Sequence, residues 1–129
     1  MGLDMYAYRT SVQISKPVDF SNEVYPSDEK LSSQIMYWRK HPALHGWMEN
    51  LYYEKGGTAE IFNCSPIELN LEDLDKLEED IENKNLPHTE GFFFGESKET
   101  QVNEQDLEFL TAARCAIQEG DRVFYDSWW

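Results

Sequence analysis

The sequence predicts a single α+β (or α/β) domain spanning residues 1–129, with a small, mainly antiparallel or mixed sheet packed against about three helices. Short segments with period-two alternation or β-branched and aromatic residues predict strands, and three segments with apolar residues three and four positions apart predict helices. No internal repeat or linker divides the chain. Because 40% of its 129 residues are apolar, the chain can bury a core of its own.

The N-terminal part predicts the first strand. Leu3, Met5 and Ala7 alternate with polar and aromatic residues, which is typical of a half-buried strand. Residues 12–14 form a second short run that could pair with it. Residues 16–33 are polar and contain two prolines, so we expect a long connection there. Residues 35–38 are expected to be extended.

The first helix is predicted to begin at Pro42. Proline restricts His41 to a non-helical backbone and is well tolerated at the first helical position. The apolar face of this helix comprises Leu44, Trp47, Met48 and Leu51. A pair of glycines, Gly56 and Gly57, is expected to end it.

The second helix is the clearest in the chain. Residues 60–64 and 67–69 are predicted as strand pieces, and Asn70 then provides an N-cap with Asp73 at the capping-box offset. The buried stripe of this helix is predicted to be Leu71, Leu74, Leu77 and Ile81. Its outer face is acidic and comprises Glu72, Asp75, Glu78, Glu79 and Glu82.

The C-terminal part predicts two strands and a helix. Residues 91–95 are apolar between two glycines, which favours a strand buried on both faces. A third helix is expected over residues 103–119, and a last strand over residues 122–125. Trp128 and Trp129 would be unfavourable if exposed, so we expect them to pack on the domain, to form a homodimer contact or to line a pocket.

The net charge of −14 limits the partners. It repels nucleic acids and acidic membranes, so direct binding to either is not expected. The acidic surface either keeps the protein soluble or occupies the basic site of a protein partner. Cys64 and Cys115 lie far apart without metal-type spacing, and the N-terminus does not resemble a signal peptide. These features predict a cytoplasmic protein with reduced, buried thiols.

Residues 35–48 form the candidate site. Arg39 and Lys40 stand at the predicted entrance of the first helix, where backbone N–H groups and the helix dipole favour anions. Tyr37 and Trp38 offer flat faces for stacking. The alternative is that Arg39 and Lys40 form ordinary ion pairs with nearby acids.

No metal or other cofactor is predicted. His41 and His45 have the spacing of two metal ligands on a helix, but Pro42 places His41 at the cap, away from the helical face. His45 is either a site residue or a hydrogen-bonded core residue. The sequence also lacks a nucleophile motif, a phosphate loop and a dinucleotide fingerprint, which favours a binding protein over an enzyme.

Several segments together resemble a family of small proteins from bacteriophages, prophages and bacteria. They are MGLDMY at the N-terminus, YWRK at 37–40 followed by His45 and Trp47, GFFFG at 91–95, and FY before Ser127 and Trp128. The family lacks a histidine at the position of His41, which further disfavours a metal pair. Some members carry the label phosphoglycerate kinase, but this chain is too short for that enzyme. The resemblance groups six residues as possible neighbours: Asp4, Tyr6, Trp38, Phe93, Ser127 and Trp128.

The sequence thus leads to the hypothesis of a phage-encoded binding protein in the host cytoplasm that holds a small, nucleotide-like anion. Arg39 and Lys40 would contact the anion, His45 would form a hydrogen bond, and Trp38 and Trp47 would stack on the ligand. One alternative is an acidic protein that blocks the nucleic-acid site of a host protein. Another is a small hydrolase or transferase that uses His45 with a carboxylate such as Asp4.

Overall fold

The computed structural model describes residues 3–20, 32–39, 41–83, 85–86, 90–91, 95–96 and 104–128. Within these ranges it confirms the predicted α+β fold, with three helices and a four-stranded antiparallel sheet. The strands of this sheet are β1 (Asp4–Thr10), β2 (Ser33–Arg39), β3 (Ile67–Leu69) and β6 (Arg122–Trp128). Their order is β2-β1-β6-β3, so β1, near the N-terminus, lies in the sheet interior between β2 and β6.

The helices are α1 (Pro42–Glu54), α2 (Leu71–Glu82) and α3 (Glu104–Gln118). Pro42 is at the start of α1, as predicted, and the predicted capping box of α2 is present. The Asn70 side chain accepts a hydrogen bond of 2.9 Å from the Asp73 N–H, and the Asp73 carboxylate accepts one of 3.0 Å from the Asn70 N–H. The two bonds satisfy N–H groups that the start of a helix leaves unpaired.

The main core lies between the helices and one face of the sheet. Met5 of β1 pairs with Trp38 of β2 and Ser127 of β6, and all three are buried. Residues from all three helices complete this core, including Leu44, Met48, Leu74, Leu77, Phe109 and Leu110. A smaller cluster on the opposite face contains Ile14, Phe20 and Phe124, with Tyr8 and Val12 against it. Each of the four strands contributes side chains to at least one of these clusters, and this packing holds the sheet in place.

Two predicted strands are absent. Residues 12–14 are irregular, because Ile14 folds into the smaller cluster and does not pair with β1. Residues 60–64 are also irregular: Cys64 has a positive φ of 56°, and its N–H donates to the Ser127 carbonyl over 2.8 Å. The predicted piece at residues 67–69 is confirmed as β3. Leu71 was expected in the buried stripe of α2, but it is 44% exposed. It is the first residue of the helix, and the buried apolar residues begin one turn later, at Leu74.

Only the two ends of the glycine-bracketed segment 91–95 lie within the described residues. β4 (Glu90–Gly91) and β5 (Gly95–Glu96) pair with each other in antiparallel orientation as a separate two-stranded sheet. Residues 92–94, including the predicted site residue Phe93, lie outside the described residues.

Both cysteines were predicted to be buried, but neither is. Cys64 and Cys115 are both exposed and free, and Cys115 lies 3.1 Å from a carboxylate oxygen of Glu119 on the outer side of α3. Trp128 is 66% exposed, because strand alternation directs it away from the helices. Trp129 lies outside the described residues. Among the helices of the described ranges, none combines the length and apolar character that crossing a membrane requires.

Candidate functional site

The sheet divides the candidate stretch between its two faces. Trp38 points into the core and is 1% exposed, whereas its neighbours Tyr37 and Arg39 face solvent. Successive side chains of a strand point to opposite faces, so Trp38 and Arg39 cannot contact the same small ligand. Lys40 lies outside the described residues.

Trp38 belongs to a buried polar cluster at the start of α1. Its Nε1 donates a hydrogen bond of 3.0 Å to Oδ1 of Asp106, and Oδ2 of Asp106 lies 2.8 Å from Nε2 of His41. The Trp38 ring also packs edge-on against Phe109, with the centroids 5.0 Å apart. Asp106 comes from the first turn of α3. At the buried start of α1, the negative group nearest to Trp38 and His41 is therefore the carboxylate of Asp106, which belongs to the protein itself.

His45 is a hydrogen-bonded core residue, which was one of the two alternatives for it. It is 2% exposed, its Nδ1 lies 2.7 Å from the hydroxyl of Tyr125, and its ring packs against Phe62. Burial lowers the pKa of His45 to about 4, so the imidazole is neutral at pH 7. Asp4 lies on the opposite face of the sheet, so it is not a partner of His45, although the hydrolase hypothesis named it as an example of one.

Trp47 occupies a third location, between α1 and α2. It is 9% exposed, and its Nε1 donates a hydrogen bond of 2.8 Å to Oδ2 of Asp80. Trp47 forms part of the wall of a cleft of about 250 Å³. This cleft is distinct from the sheet face that carries Arg39.

Five of the candidate residues come together on the sheet face opposite the helices. Asp4 of β1 pairs with Arg39 of β2 and with Trp128 of β6, so these residues form one row across three strands. Tyr6 follows two positions after Asp4, and its ring lies 5.3 Å from that of Tyr37. The Tyr37 hydroxyl donates a hydrogen bond of 2.6 Å to Asp4 Oδ1. We call these five residues, Asp4, Tyr6, Tyr37, Arg39 and Trp128, the outer site.

The pKa values of the two tyrosines in the outer site are both raised. Burial, and then the negative charges of Asp4 and Asp126, raise the pKa of Tyr6. The hydrogen bond to Asp4 raises the pKa of Tyr37. Asp126 lies opposite Tyr6 on β6, and burial raises its pKa to about 6. The hydroxyls therefore act as neutral hydrogen-bonding groups at neutral pH.

Arg39 is the cation of the outer site. Among the residues that the structure describes, it forms no ion pair, and its side chain is exposed. The outer site thus combines flat aromatic faces, one exposed guanidinium and the carboxylate of Asp4. Such a set can stack on a planar ring system and hold one anionic group.

The polar partners of Trp38 and His45 in the core were not identified from the sequence. Asp106 is 68 positions from Trp38, so no local pattern connects the two. Tyr125 is likewise 80 positions from His45. Tyr37 was placed with Arg39 in the candidate stretch, and the period of two in a strand puts both on one face.

Two other predicted features can be located. In the described ranges, no group of three or more His, Cys, Asp or Glu side chains is arranged to hold a metal ion. On the acidic face of α2, Arg114 of α3 pairs with Asp75 at 2.8 Å and with Glu78 at 3.1 Å. Two of the five acids thus share one arginine of the protein, and a role of this face in partner binding stays a prediction.

No family model matches this chain, and comparison with curated proteins and with solved structures also returns no match. The resemblance to small phage and bacterial proteins accordingly stays a prediction. The geometry of the outer site is the basis for a functional proposal.

Proposed function

We propose that this protein is a non-enzymatic binding protein that holds a small, nucleotide-like anion on the outer site. The observation that carries the proposal is the row of Asp4, Arg39 and Trp128 beside the paired rings of Tyr6 and Tyr37. This location replaces the buried helix entrance as the proposed binding surface, and it retains Arg39 as the anion-binding residue.

The aromatic residues supply the attraction for a planar ring. Trp128 is 66% exposed and Tyr37 is 38% exposed, so both present apolar surface to solvent. Stacking of a base on an aromatic side chain contributes about 1–3 kcal/mol, which is enough to select ligands with a flat ring system. The Tyr37 hydroxyl is held by Asp4, which restricts the orientation of its ring before a ligand arrives.

Arg39 supports a ligand with a phosphate or carboxylate group. Its guanidinium is planar, permanently charged and suited to bidentate contact with either group. The net charge of −14 repels long polyanions, so one exposed arginine favours a small anion over a nucleic acid. The resemblance to phage proteins supports a role in sequestering a nucleotide in an infected cell.

Calorimetric titration of mononucleotides and cyclic dinucleotides tests the proposal. We expect at least one to bind the wild type, Arg39→Ala to weaken binding about tenfold or more, and Trp128→Ala to weaken it by a similar factor. Lys16→Ala and Ile61→Ala are matched controls, since they remove an exposed cation and an exposed apolar side chain elsewhere.

Two results would overturn this function. One is that no nucleotide binds the wild type. The other is that Arg39→Ala and Trp128→Ala bind every active nucleotide as tightly as the controls do.

A further inference from the structure

A cleft on the far side of the domain from the outer site is lined by groups of both charges. It encloses about 250 Å³ between α1 and α2. Its apolar wall comprises Trp47 and Leu51, which are 9% and 7% exposed. The hydrogen bond from Trp47 Nε1 to Asp80 Oδ2 fixes the indole in place.

The polar wall of the cleft places opposite charges close to this apolar surface. α1 contributes Asn50 and Glu54, and α2 contributes Lys76 and Asp80. Within the described part of the chain, neither Lys76 nor Glu54 forms an ion pair. One cation, two carboxylates and the amides of Asn50 and Asn85 thus line one small volume, where a ligand that carries both charges can contact them.

We propose that this cleft binds a free α-amino acid with an apolar side chain. The α-carboxylate would contact Lys76, the α-ammonium group would contact Glu54 and Asp80, and the side chain would lie against Trp47 and Leu51. The cleft is slightly smaller than the roughly 300 Å³ at which typical ligand pockets begin, which suits a ligand of this size. The proposal is independent of the outer site, because the two sites share no residue.

Titration of the protein with L-leucine and L-phenylalanine at millimolar concentrations tests it. The readout is the indole N–H resonance of Trp47 in two-dimensional NMR spectra, assigned from its loss in Trp47→Phe. We expect both amino acids to shift this resonance saturably. We also expect Lys76→Gln and Glu54→Gln each to weaken binding about tenfold, as for the loss of one charged hydrogen bond.

The matched controls are Lys16→Gln and Glu72→Gln, which remove the same charges at exposed positions outside the cleft. Both should leave the affinity unchanged. N-acetyl-L-leucine amide, which has the side chain but neither charge, should not bind. The proposal is overturned if neither amino acid shifts the Trp47 resonance, if the amide binds as tightly as leucine, or if the cleft variants behave like the controls. Nucleotide binding at the outer site would be unaffected by any of these results.

Discussion

The indole of Trp38 donates a hydrogen bond of 3.0 Å to the carboxylate of Asp106, and this bond ties the edge strand β2 to the first turn of α3. Both residues are 1% exposed. A buried carboxylate is costly unless it is hydrogen-bonded. The contact therefore fixes how α3 sits against the sheet, with His41 as a further partner of the same carboxylate.

Replacement of Asp106 should destabilise the protein. Asp106→Ala removes the acceptor of the Trp38 indole and a partner of His41. We expect the free energy of unfolding to fall by about 1–3 kcal/mol for each of these two side chains left without its partner. Asp106→Asn keeps one oxygen and should cost less. Urea denaturation measures both, with Glu104→Ala in the same turn of α3 as an exposed control. A change for Asp106→Ala no larger than that of the control would show that the cluster contributes nothing.

His45 should make the protein less stable in acid. The unfolded chain binds a proton at this histidine near pH 6.5, whereas burial holds the pKa in the folded state at about 4. Between these values the unfolded state binds more protons, so stability rises with pH. This difference in the pKa of His45 between the unfolded and folded states corresponds to about 3 kcal/mol in the free energy of unfolding. His45→Gln should lower the slope of unfolding free energy against pH in this range, and an unchanged slope would contradict the prediction.

Asp126 should have the opposite effect. Burial raises its pKa from 3.8 to about 6, so the folded state holds the proton over a range in which the unfolded state has lost it. Its contribution to stability therefore falls as pH rises through this range. The effects of His45 and Asp126 partly cancel in the wild type. Asp126→Asn should make the unfolding free energy rise more steeply with pH than it does in the wild type.

Gly57 should not tolerate a side chain. A Cβ atom at this position would overlap the ring of Tyr52, which is fully buried and whose hydroxyl donates a hydrogen bond of 2.5 Å to Asp19. Because neither the ring nor its partner can move freely, we expect Gly57→Ala to cost about 1–3 kcal/mol. In the background of Tyr52→Leu the same substitution should cost less. Equal costs in the two backgrounds, measured by thermal unfolding, would exclude the overlap as the cause.

Cys115 should react slowly as a thiol although it is exposed. Its hydrogen bond to Glu119, together with the negative charge of that residue, raises its pKa and lowers the fraction of thiolate. Glu119→Gln should speed alkylation of Cys115 by iodoacetamide at neutral pH. Arg9, which pairs with Glu119 at 3.5 Å, would still lower the pKa of the thiol, and the opposing charge of Glu119 would be gone. The rate at Cys64 in the same sample is the internal control and should not change.

Local patterns in the sequence determined most of the secondary structure. Pro42 fixed the start of α1, and the capping box of Asn70 and Asp73 fixed that of α2, because caps depend on neighbours a few positions apart. The alternation of Leu3, Met5 and Ala7 identified the central strand. The predicted strand at residues 12–14 failed because packing of Ile14 against Phe20 and Phe124 outweighs its local preference.

Only the tertiary structure decided which candidate residues share a site. Sequence proximity placed Trp38 and Arg39 together, yet the alternation of β2 sends them to opposite faces of the sheet. Strand register then brought Asp4 and Trp128, at the two ends of the chain, into one row with Arg39. Such pairings depend on contacts between residues far apart in sequence, and these contacts form only when the whole sheet is assembled.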